Sequence, residues 1–580
     1  MPERRSPNKP YLLYKPPAEI VPPDHFVWFL QKFLVGITDE RYRSYGIEPK
    51  PSPKGGVRYA PQLLLGVLLF GFMSGIRSMR KLEEACQLNL ALRLLTGEQV
   101  PDHNTLWRFY KKHRAGMRKV FRETVTVSVK SGMVSLALQA VDGTKIAGNA
   151  ARDQTMNGET LGKLLERLDK TIAEIEALNG RGDEPSPPRL PAALQDEGVL
   201  GRKVAAAIEE LEKEEAVVRR EEKPASSPGG EARGAGASAA TQTPPPQPVE
   251  TGHPASEAKD RASSSGPAGE AVPPASPQRD DAAQRAKKLE WLNQKKEQVI
   301  EALEQVYAPG CPSRLNLTDA DALLLRTSQG YIAGHNNQAA VAPLDVSQAG
   351  CTGRVITATK VVANATDYGQ LPPMLDAVKE TTGSYPEEVL ADGGYLTTDT
   401  VKATKERGVA PYIPESKKNL GPYAKSRFIY DEATNTYICP EGKPLSFTGT
   451  KKSGGDERDH IYQANKEDCA PCPFRKLCIK QGTNGRMVKV QPVNDEILKA
   501  HREAMETEAA KGKIRQRKGI IEPVFGTLKD RHGARRFLLR GLENVAAEWD
   551  LLAAAFNLRT FAKIWRRGTW NPNWEVLLAA

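Results

Sequence analysis

The spacing of apolar residues predicts helices at the start of the chain. In LLLGVLLFGFMSGIRSMRKLEEACQLNLALRLL (63–95) apolar side chains recur every three or four positions, which indicates helices that bury most of their surface. PDHNTLWRFYKKHRAGMRKVF (101–121) then offers Asp102 or Asn104 as the N-cap of a basic amphipathic helix. We therefore expect residues 1–135 to form a compact helical domain.

Two later segments have the heptad spacing of a coiled coil. In ETLGKLLERLDKTIAEIEAL (159–178) and KKLEWLNQKKEQVIEALEQV (287–306) apolar residues fall at the a and d positions, and Lys296 interrupts the second run. The Pro-, Gly-, Ser- and Ala-rich residues between these segments lack the apolar content that offsets chain entropy. We predict a coiled-coil hairpin insertion over residues 150–314, with residues 181–285 disordered.

On both sides of that insertion the pattern alternates between strands and helices. The predicted strands are 137–147, 330–342, 354–364, 387–395 and 409–414, and the predicted helices are 371–382 and 397–408. This alternation predicts an α/β core with parallel strand pairing, formed by residues 136–149 and 315–414. Residues 415–495 are a polar, Cys-rich insertion, and residues 496–580 return to helical spacing and complete the core.

The charge balance favours a polyanionic partner. The chain has 82 Lys and Arg against 71 Asp and Glu, a net charge of +11 and a pI near 9.1. A basic surface can bind nucleic acid or can simply be solvated, so DNA binding and plain structural support are equally open for the N-terminal helices. The longest apolar run, residues 63–73, is far shorter than the ~20 residues of a membrane span, and no secretory signal is evident. Seven cysteines favour a reducing compartment, and we expect a cytoplasmic protein with no membrane contact.

Three acidic residues lie at positions suited to chemistry. Asp142 follows the apolar run LALQAV, Asp392 follows VLA, and each stands directly before glycine. Carboxylates at the ends of buried strands suit the sheet edge where open α/β proteins place their active sites. An ordinary Asp-Gly turn is the alternative for each. Glu522 is the third residue, an isolated acid inside the basic stretch RQRKGIIEPVFGTLK (515–529).

The stretch around Glu522 has the pattern of a helix with two faces. At 100° per residue, Glu522 shares an arc of about 80° with Phe525 and three basic residues. These basic residues are Arg515, Lys518 and Lys529. Ile520, Ile521, Val524 and Leu528 form the neighbouring apolar face. Pro523 either kinks the helix or starts a new one with Glu522 at its cap.

Two strand-end acids and one helix acid are the ligands that a two-metal phosphoryl-transfer site requires. Mg²⁺ and Mn²⁺ take oxygen ligands and leave positions for phosphate and water. A pair of ions roughly 3.5–4 Å apart activates the nucleophile and stabilises the leaving oxygen. The cations near the third acid, Arg515, Arg517, Lys518 and Lys529, would then meet the charged strand. The alternative is a surface pair of Glu522 with Lys518, which contributes only ~0.3–0.5 kcal/mol.

Two further groups of residues suit binding roles. Cys439, Cys469, Cys472 and Cys478 lie in one short polar segment, and four thiolates suit a tetrahedral structural Zn²⁺ site. A set of free thiols in a loop is the alternative. Arg535, Arg536 and Arg540 form an isolated cluster that suits bidentate phosphate contacts, with a solvated basic turn as the alternative.

Four segments resemble the conserved blocks of DDE transposases from bacterial insertion sequences. The segments are VDGTKIAGNA, LNLTDADALLLRTSQGYIAGHNNQAAV, LADGGYLT and RQRKGIIEPVFGTLKDRHGARRFLLRGLENV. The resemblance implies a ribonuclease-H-like fold whose three acids, Asp142, Asp392 and Glu522, bind two divalent metal ions. Related transposases have a Tyr, Arg, Glu, Lys pattern around the last acid. Glu522 and Lys529 match it, the basic position falls among Arg515, Arg517 and Lys518, and Ile514 stands closest to the tyrosine position.

The resemblance predicts a DNA transposase that cuts transposon ends and joins them to target DNA. It implies double-stranded DNA as the partner, a homodimer on that DNA and a place in the bacterial nucleoid. Two other functions stay open, a metal-dependent nuclease without strand transfer and a non-catalytic or domesticated DNA-binding protein.

Overall fold

The protein has a mixed α/β architecture with a helical N-terminal region. The computed structural model describes residues 15–48, 59–180, 277–308, 313–416, 421–452, 458–479 and 485–578. The chain forms two compact units, one of Met1–Asn157 with Gln305–Ala580 and the other of Gly158–Glu304.

In the described residues before the first strand there are seven helices. They are α1 (Pro17–Ile20), α2 (Phe26–Gly36), α3 (Asp39–Ser44), α4 (Pro61–Ser74), α5 (Met79–Leu88), α6 (Leu90–Thr96) and α7 (His103–Lys130). Of the two predicted caps of α7, Asp102 is the one used, since its Oδ1 accepts the N–H groups of Asn104 and Thr105 at 2.8 and 3.2 Å. Non-helical backbone angles at His113 kink this long helix. The prediction of helices before residue 135 is therefore confirmed.

Within the described ranges no single helix has the length and apolar character to cross a membrane. The pair α4 and α5 meets those criteria only when the two helices are taken together, across a 97° bend.

The main sheet has six strands and is mixed. Its strands are β1 (Leu138–Ala147), β4 (Leu323–Thr327), β5 (Gly330–Pro343), β6 (Arg354–Val362), β7 (Glu388–Leu390) and β8 (Ala410–Tyr412), and a separate two-stranded sheet pairs β2 (Thr155–Asn157) with β3 (Arg314–Asn316). The six strands follow the order β4-β5-β1-β7-β8, with β6 also paired to β5. Strands β1, β7 and β8 are parallel, whereas β1, β4 and β6 run antiparallel to β5. The prediction of parallel pairing was therefore wrong for β4–β6, because short connections such as that between β4 and β5 reverse the chain direction.

Helices cover both faces of this sheet. The remaining helices of this unit are α10 (Val346–Ala349), α11 (Leu371–Thr382), α12 (Thr398–Glu406), α15 (Pro492–Met505), α16 (Glu508–Asp530), α17 (Leu542–Arg566) and α18 (Trp574–Leu577). Alternate strand residues divide between two cores. Ala140 and Leu390 join the core that contains α16 and α17, whereas Val141 and Val389 join the core that contains α11.

The Cys-rich segment forms a second sheet that the sequence pattern did not predict. Its five antiparallel strands are β9 (Ile429–Asp431), β10 (Thr436–Ile438), β11 (Pro444–Lys452), β12 (Arg458–Ala464) and β13 (Met487–Val490), with the short helices α13 (Lys466–Cys469) and α14 (Arg475–Cys478) between the last two. Leu445, Tyr462 and Val488 form its small core. Because these strands are short and mostly exposed, their sequence has little apolar alternation.

The N-terminal helices are anchored on the C-terminal part of the chain. Arg77, in the turn between α4 and α5, donates to Glu548 Oε1 of α17 at 2.6 Å and to the carbonyl oxygen of Arg536 at 2.7 Å. Glu548 also accepts the backbone N–H groups of Leu538 and Leu539 at 3.2–3.3 Å. Both side chains of this ion pair are almost fully buried.

The second unit contains the two helices predicted to form the insertion. They are α8 (Gly158–Gly180) and α9 (Pro277–Tyr307). Asp169 and Lys296 form an ion pair of 2.6 Å between the two helices, so the lysine that interrupts the heptad pattern has a partner. Because α9 begins at Pro277, the prediction of disorder was wrong for residues 277–285. The rest of that prediction, residues 181–276, lies outside the described residues.

Candidate active site

Two of the predicted acids lie close together, Asp142 on β1 and Asp392 just after the neighbouring parallel strand β7. Strand β7 pairs with β1 so that Glu388 faces Leu138 and Leu390 faces Ala140, an offset of 250 residues in each case. The same offset relates Asp392 to Asp142. Alternation along β1 places Asp142 on the face that packs against α16, and Asp392, in the turn after β7, is close enough to raise the pKa of Asp142.

The prediction that Asp142 ends its strand was wrong. Strand β1 continues through Asp142 to Ala147 because β5 pairs with it along this whole length, with Ala339 opposite Asp142 and Gly334 opposite Ala147. An Asp-Gly turn is excluded at this position. Asp142 lies instead just beyond the point where the pairing of β1 with β7 ends, so the two strands separate beside its carboxylate.

At Asp392, by contrast, the chain does turn after a strand. Its Oδ1 accepts the N–H of Gly394 at 2.8 Å, and its carbonyl oxygen accepts the N–H of Tyr395 at 3.1 Å. The turn and the strand-end position therefore occur together, and the glycines allow the chain to leave the sheet here.

The Asp142 carboxylate is buried and has a cationic partner. Burial raises the pKa of Asp142 to about 6, the Arg517 guanidinium opposes that rise, and Asp392 adds to it. Arg517 Nη1 lies 2.7 Å from Asp142 Oδ2, and the two side chains are 13 % and 17 % exposed. Arg517, which the sequence suggested as a phosphate contact, is therefore bound to the first acid.

Glu522 lies on the helix that carries Arg517, but its carboxylate is exposed. Helix α16 runs without a break from Glu508 to Asp530 with Pro523 inside it, so a second helix starting at Pro523 is excluded. Among the described residues, Glu522 forms no ion pair with Lys518, so the structure does not contain the surface pair considered as the alternative. Across the described ranges, no group of three or more His, Cys, Asp or Glu side chains is placed to hold a metal ion.

A side chain from the sheet compensates for the proline beside Glu522. Proline has no N–H, so the carbonyl oxygen of Gly519, four residues earlier, loses its helical partner. Arg354, at the start of β6, donates its Nε–H to this oxygen at 2.8 Å. Arg354 thus holds α16 one turn before Glu522.

Replacing Arg354 with Met is expected to destabilise the protein by about 1 kcal/mol, because the Gly519 carbonyl loses its donor. Pro523→Ala restores an N–H to that carbonyl, so Arg354→Met should cost markedly less in the Pro523→Ala background. Urea unfolding of the four proteins measures this coupling. Equal costs in both backgrounds would contradict the proposed role of Arg354.

The other predicted phosphate contacts have different surroundings. Arg515 and Lys518 are exposed, whereas burial lowers the pKa of Lys529. Arg535 pairs with Asp530. Arg540 donates to the carbonyl oxygen of Asn149 at 2.9 Å, and Arg536 forms a parallel bridge with Ala147. The segment containing the three arginines therefore runs beside the end of β1.

The basic residues of α7 divide into two groups. Three arginines pair with acids of the rest of this unit: Arg114 with Glu543, Arg118 with Asp550 and Glu380, and Arg122 with Glu380. Arg108, Lys111 and Lys112 are exposed. One face of the helix therefore supports the fold, and the exposed cations near its N-terminus are available to a polyanion.

The four predicted zinc ligands lie near one another. Burial and the neighbouring thiols of Cys469, Cys439 and Cys472 raise the pKa of Cys478, while Arg486 opposes the rise. Backbone N–H groups donate to two of the sulfurs, Lys443 to Cys439 at 3.3 Å and Arg486 to Cys469 at 3.4 Å. Donors to sulfur are the surroundings that a thiolate prefers.

Sequence reasoning missed several polar residues at this site. Gln338 and Tyr395 are fully buried beside the two strands that carry Asp142 and Asp392. Polar residues within the apolar stretch GYIAGHNNQAAVA (330–342) were a signal for the first of them, since buried amides require partners. No sequence signal identified Arg354.

Comparison with known protein families identifies two segments. A family model described as Transposase DDE domain matches residues 438–562, and one described as Transposase domain (DUF772) matches residues 17–112. The first match contains strands β11–β13 of the Cys-rich sheet, Glu522 and most of α17, and the second contains α1–α6 and the start of α7. No curated protein and no solved structure matches the chain. The two matches, one toward each end of the chain, support an insertion-sequence DDE transposase.

Proposed function

We propose that this transposase cuts transposon ends and joins them to target DNA by metal-dependent phosphoryl transfer. The observation that carries the proposal is the closeness of Asp142, on β1, to Asp392, which follows the parallel strand β7 two residues after the pairing of these strands ends. A helix of the matched DDE domain crosses this face and brings cations to it. The mixed sheet of β1 and β5–β8 supports a ribonuclease-H-like core.

The residues present suit divalent metal ions of the Mg²⁺ or Mn²⁺ type. Asp142 and Asp392 would supply hard oxygen ligands, and the ion pair of Asp142 with the Arg517 guanidinium supports a cation-binding role for this carboxylate. Glu522 is the proposed third ligand, on the helix above. Two such ions supply charge stabilisation at the attacking and leaving oxygens when bound.

The Lys and Arg side chains near the site have a separate role, in DNA binding. Arg515 and Lys518 are exposed on the helix that carries Glu522, and we assign them, with Arg517, Lys529, Arg535, Arg536 and Arg540, to contacts with DNA phosphates. Such contacts fix the register of DNA on the protein without reading its sequence. Binding should therefore weaken steeply with salt. Two ends must be held together for joining, and we propose a homodimer on the DNA.

The test uses purified protein and a duplex carrying the element's own end. Wild-type protein should cut the end in Mg²⁺ or Mn²⁺ and should bind it uncut in EDTA. Addition of a target duplex should yield joined products. Cleavage without joining would favour a metal-dependent nuclease, and binding without cleavage in either metal would favour a non-catalytic DNA-binding protein.

We also propose a structural zinc ion held by Cys439, Cys469, Cys472 and Cys478. The neighbouring thiols and the N–H donors to two of them support this assignment. Binding would draw the sulfurs together to zinc–thiolate bonds of ~2.3 Å.

Metal analysis of the purified protein is expected to find about one zinc per chain. Cys472→Ser should reduce that content and lower the melting temperature, because a structural zinc site contributes folding free energy. Cys86→Ser is the control, since Cys86 is buried among the N-terminal helices. Zinc-free native protein would contradict the assignment.

A further inference from the structure

A chain of buried polar groups lies behind the two aspartates, on the opposite face of the sheet. Gln338 donates from Nε2 to Asp367 Oδ1 at 2.7 Å and to Asn336 Oδ1 at 3.1 Å. Its Oε1 accepts the hydroxyl of Tyr395. Asn336 also donates to Asp367 Oδ1 at 3.1 Å. Both N–H groups and the oxygen of the Gln338 amide are therefore used.

Because these polar groups are buried, each of them needs its hydrogen-bond partner. Gln338 and Tyr395 are 0 % exposed, and Asn336 is 1 % exposed. Burial holds the pKa of Tyr395 well above its usual range, so its hydroxyl stays a proton donor. An unpaired group at this depth is unfavourable. The amide is thereby locked in one orientation, with its oxygen toward Tyr395.

The chain connects the strands that carry the two acids. Gln338 faces Gly143 of β1, the residue after Asp142, and a Cβ at residue 143 would overlap both the Gln338 amide and the Asp367 carboxylate. Tyr395 lies three residues after Asp392 and closes its turn. Main-chain pairing between β1 and β7 ends two residues before the acids. Beyond the end of this pairing, the hydrogen bond between Tyr395 and Gln338 connects the segment after β7 to the rest of the sheet through side chains.

We propose that Gln338 and Tyr395 are positioning residues that set the separation of the Asp142 and Asp392 carboxylates for metal binding. The proposal rests on the metal-dependent function proposed above. Neither residue contacts the acids' carboxylates from the reacting face. Their effect is exerted through the backbone at Gly143 and through the turn at Asp392, and Asp367 fixes the orientation of the Gln338 amide.

Tyr395→Phe tests this positioning role because it removes only the hydroxyl that donates to Gln338. We expect the Mn²⁺ concentration for half-maximal end cleavage to rise by about 10–100-fold, the usual effect of losing a partner behind a metal ligand. The rise in melting temperature on adding Mn²⁺ should shift by the same factor in concentration. Tyr385→Phe is the matched control, since Tyr385 donates to Asp376 at 2.8 Å on the surface of the same core. It should leave both Mn²⁺ titrations unchanged.

A second pair of variants exchanges donor and acceptor. Gln338→Glu keeps the shape and still accepts from Tyr395, but it loses its donors and places a carboxylate against Asp367. Adding Asp367→Asn returns a donor to that contact. We expect the single variant to need more Mn²⁺ and the double variant to recover most of the loss, whether or not Tyr395→Phe folds.

Two results would contradict the proposed positioning role of Gln338 and Tyr395. Wild-type Mn²⁺ dependence in a folded Tyr395→Phe protein would do so, as would a double variant no better than Gln338→Glu alone. Asp392→Asn in the same assay separates this failure from that of the proposed function. If Asp392→Asn cuts as well as wild type, the proposed metal site is wrong. If Asp392→Asn is inactive, only the positioning role of Gln338 and Tyr395 is wrong.

Discussion

Asp142→Asn and Asp392→Asn are each expected to reduce end cleavage by about a thousandfold or more while leaving DNA binding intact. Each change removes one charged ligand and keeps the size of the side chain. A bound metal ion stabilises the charge that develops in the transition state by several kcal/mol. A loss of about 4 kcal/mol corresponds to a factor of about a thousand in rate. Cleavage of a labelled end duplex, with binding measured in EDTA, separates the two effects.

Asp376→Asn provides the control for these variants. Asp376 lies on α11 and pairs with Arg407 at 2.8 Å at the surface, so its loss should leave cleavage near the wild-type rate. If Asp142→Asn retained more than a tenth of wild-type cleavage, this carboxylate would not be a metal ligand, and the ion pair with Arg517 would be structural only.

Arg77→Met is expected to destabilise the protein by about 3–5 kcal/mol at pH 8.5, because it leaves Glu548 buried without its cation. Arg93→Met removes an exposed pair with Glu98 in the same helical region and should cost no more than about 1 kcal/mol. Chemical denaturation of both variants measures the difference. Similar losses in the two variants would contradict the role of Arg77 as an anchor.

The cost of Arg77→Met should also depend on pH. Burial raises the pKa of Glu548 from 4.5 to about 7, and Arg77 opposes that rise. Between these values the folded protein holds more protons than the unfolded chain, so this group's contribution to stability falls as pH rises. Removing Arg77 raises the folded pKa further and extends the fall above pH 7. The deficit relative to wild type should therefore be larger at pH 8.5 than at pH 6.

Local signals predicted five of the six described strands of the main sheet, missed β4 and made β7 too long. Helix α11 was predicted with its observed bounds, since prolines open it and Gly383, in the left-handed conformation, closes it. Strands β1, β5 and β6 were predicted within two residues at each end, because their apolar runs are long. Strand direction was predicted less well, because it depends on which neighbour each strand meets.

Contacts between distant parts of the chain account for what the sequence could not predict. Arg354 and Gly519 are 165 residues apart, and Gln338 and Tyr395 are 57 residues apart. The orphan carbonyl created by Pro523 was foreseeable from the sequence, but its donor was not. The closeness of Asp142 to Asp392 was expected from their positions after apolar runs, whereas the position of Asp142 inside β1 depended on the length of β5.

Helix α17 sets an order for folding during synthesis. It packs against α2, α4, α7 and β6. The apolar α4 is made near the start of translation and meets α2 and α6 early, but the part of its surface that contacts α17 is covered only when α17 emerges. At about 5–20 residues per second, the chain between Ser74 and Leu542 takes roughly 20–90 seconds to make. During that interval α4 exposes this part of its apolar surface to solvent, and a chain that stops before residue 542 never covers it. Truncated copies of this transposase should therefore be removed by chaperones and proteases.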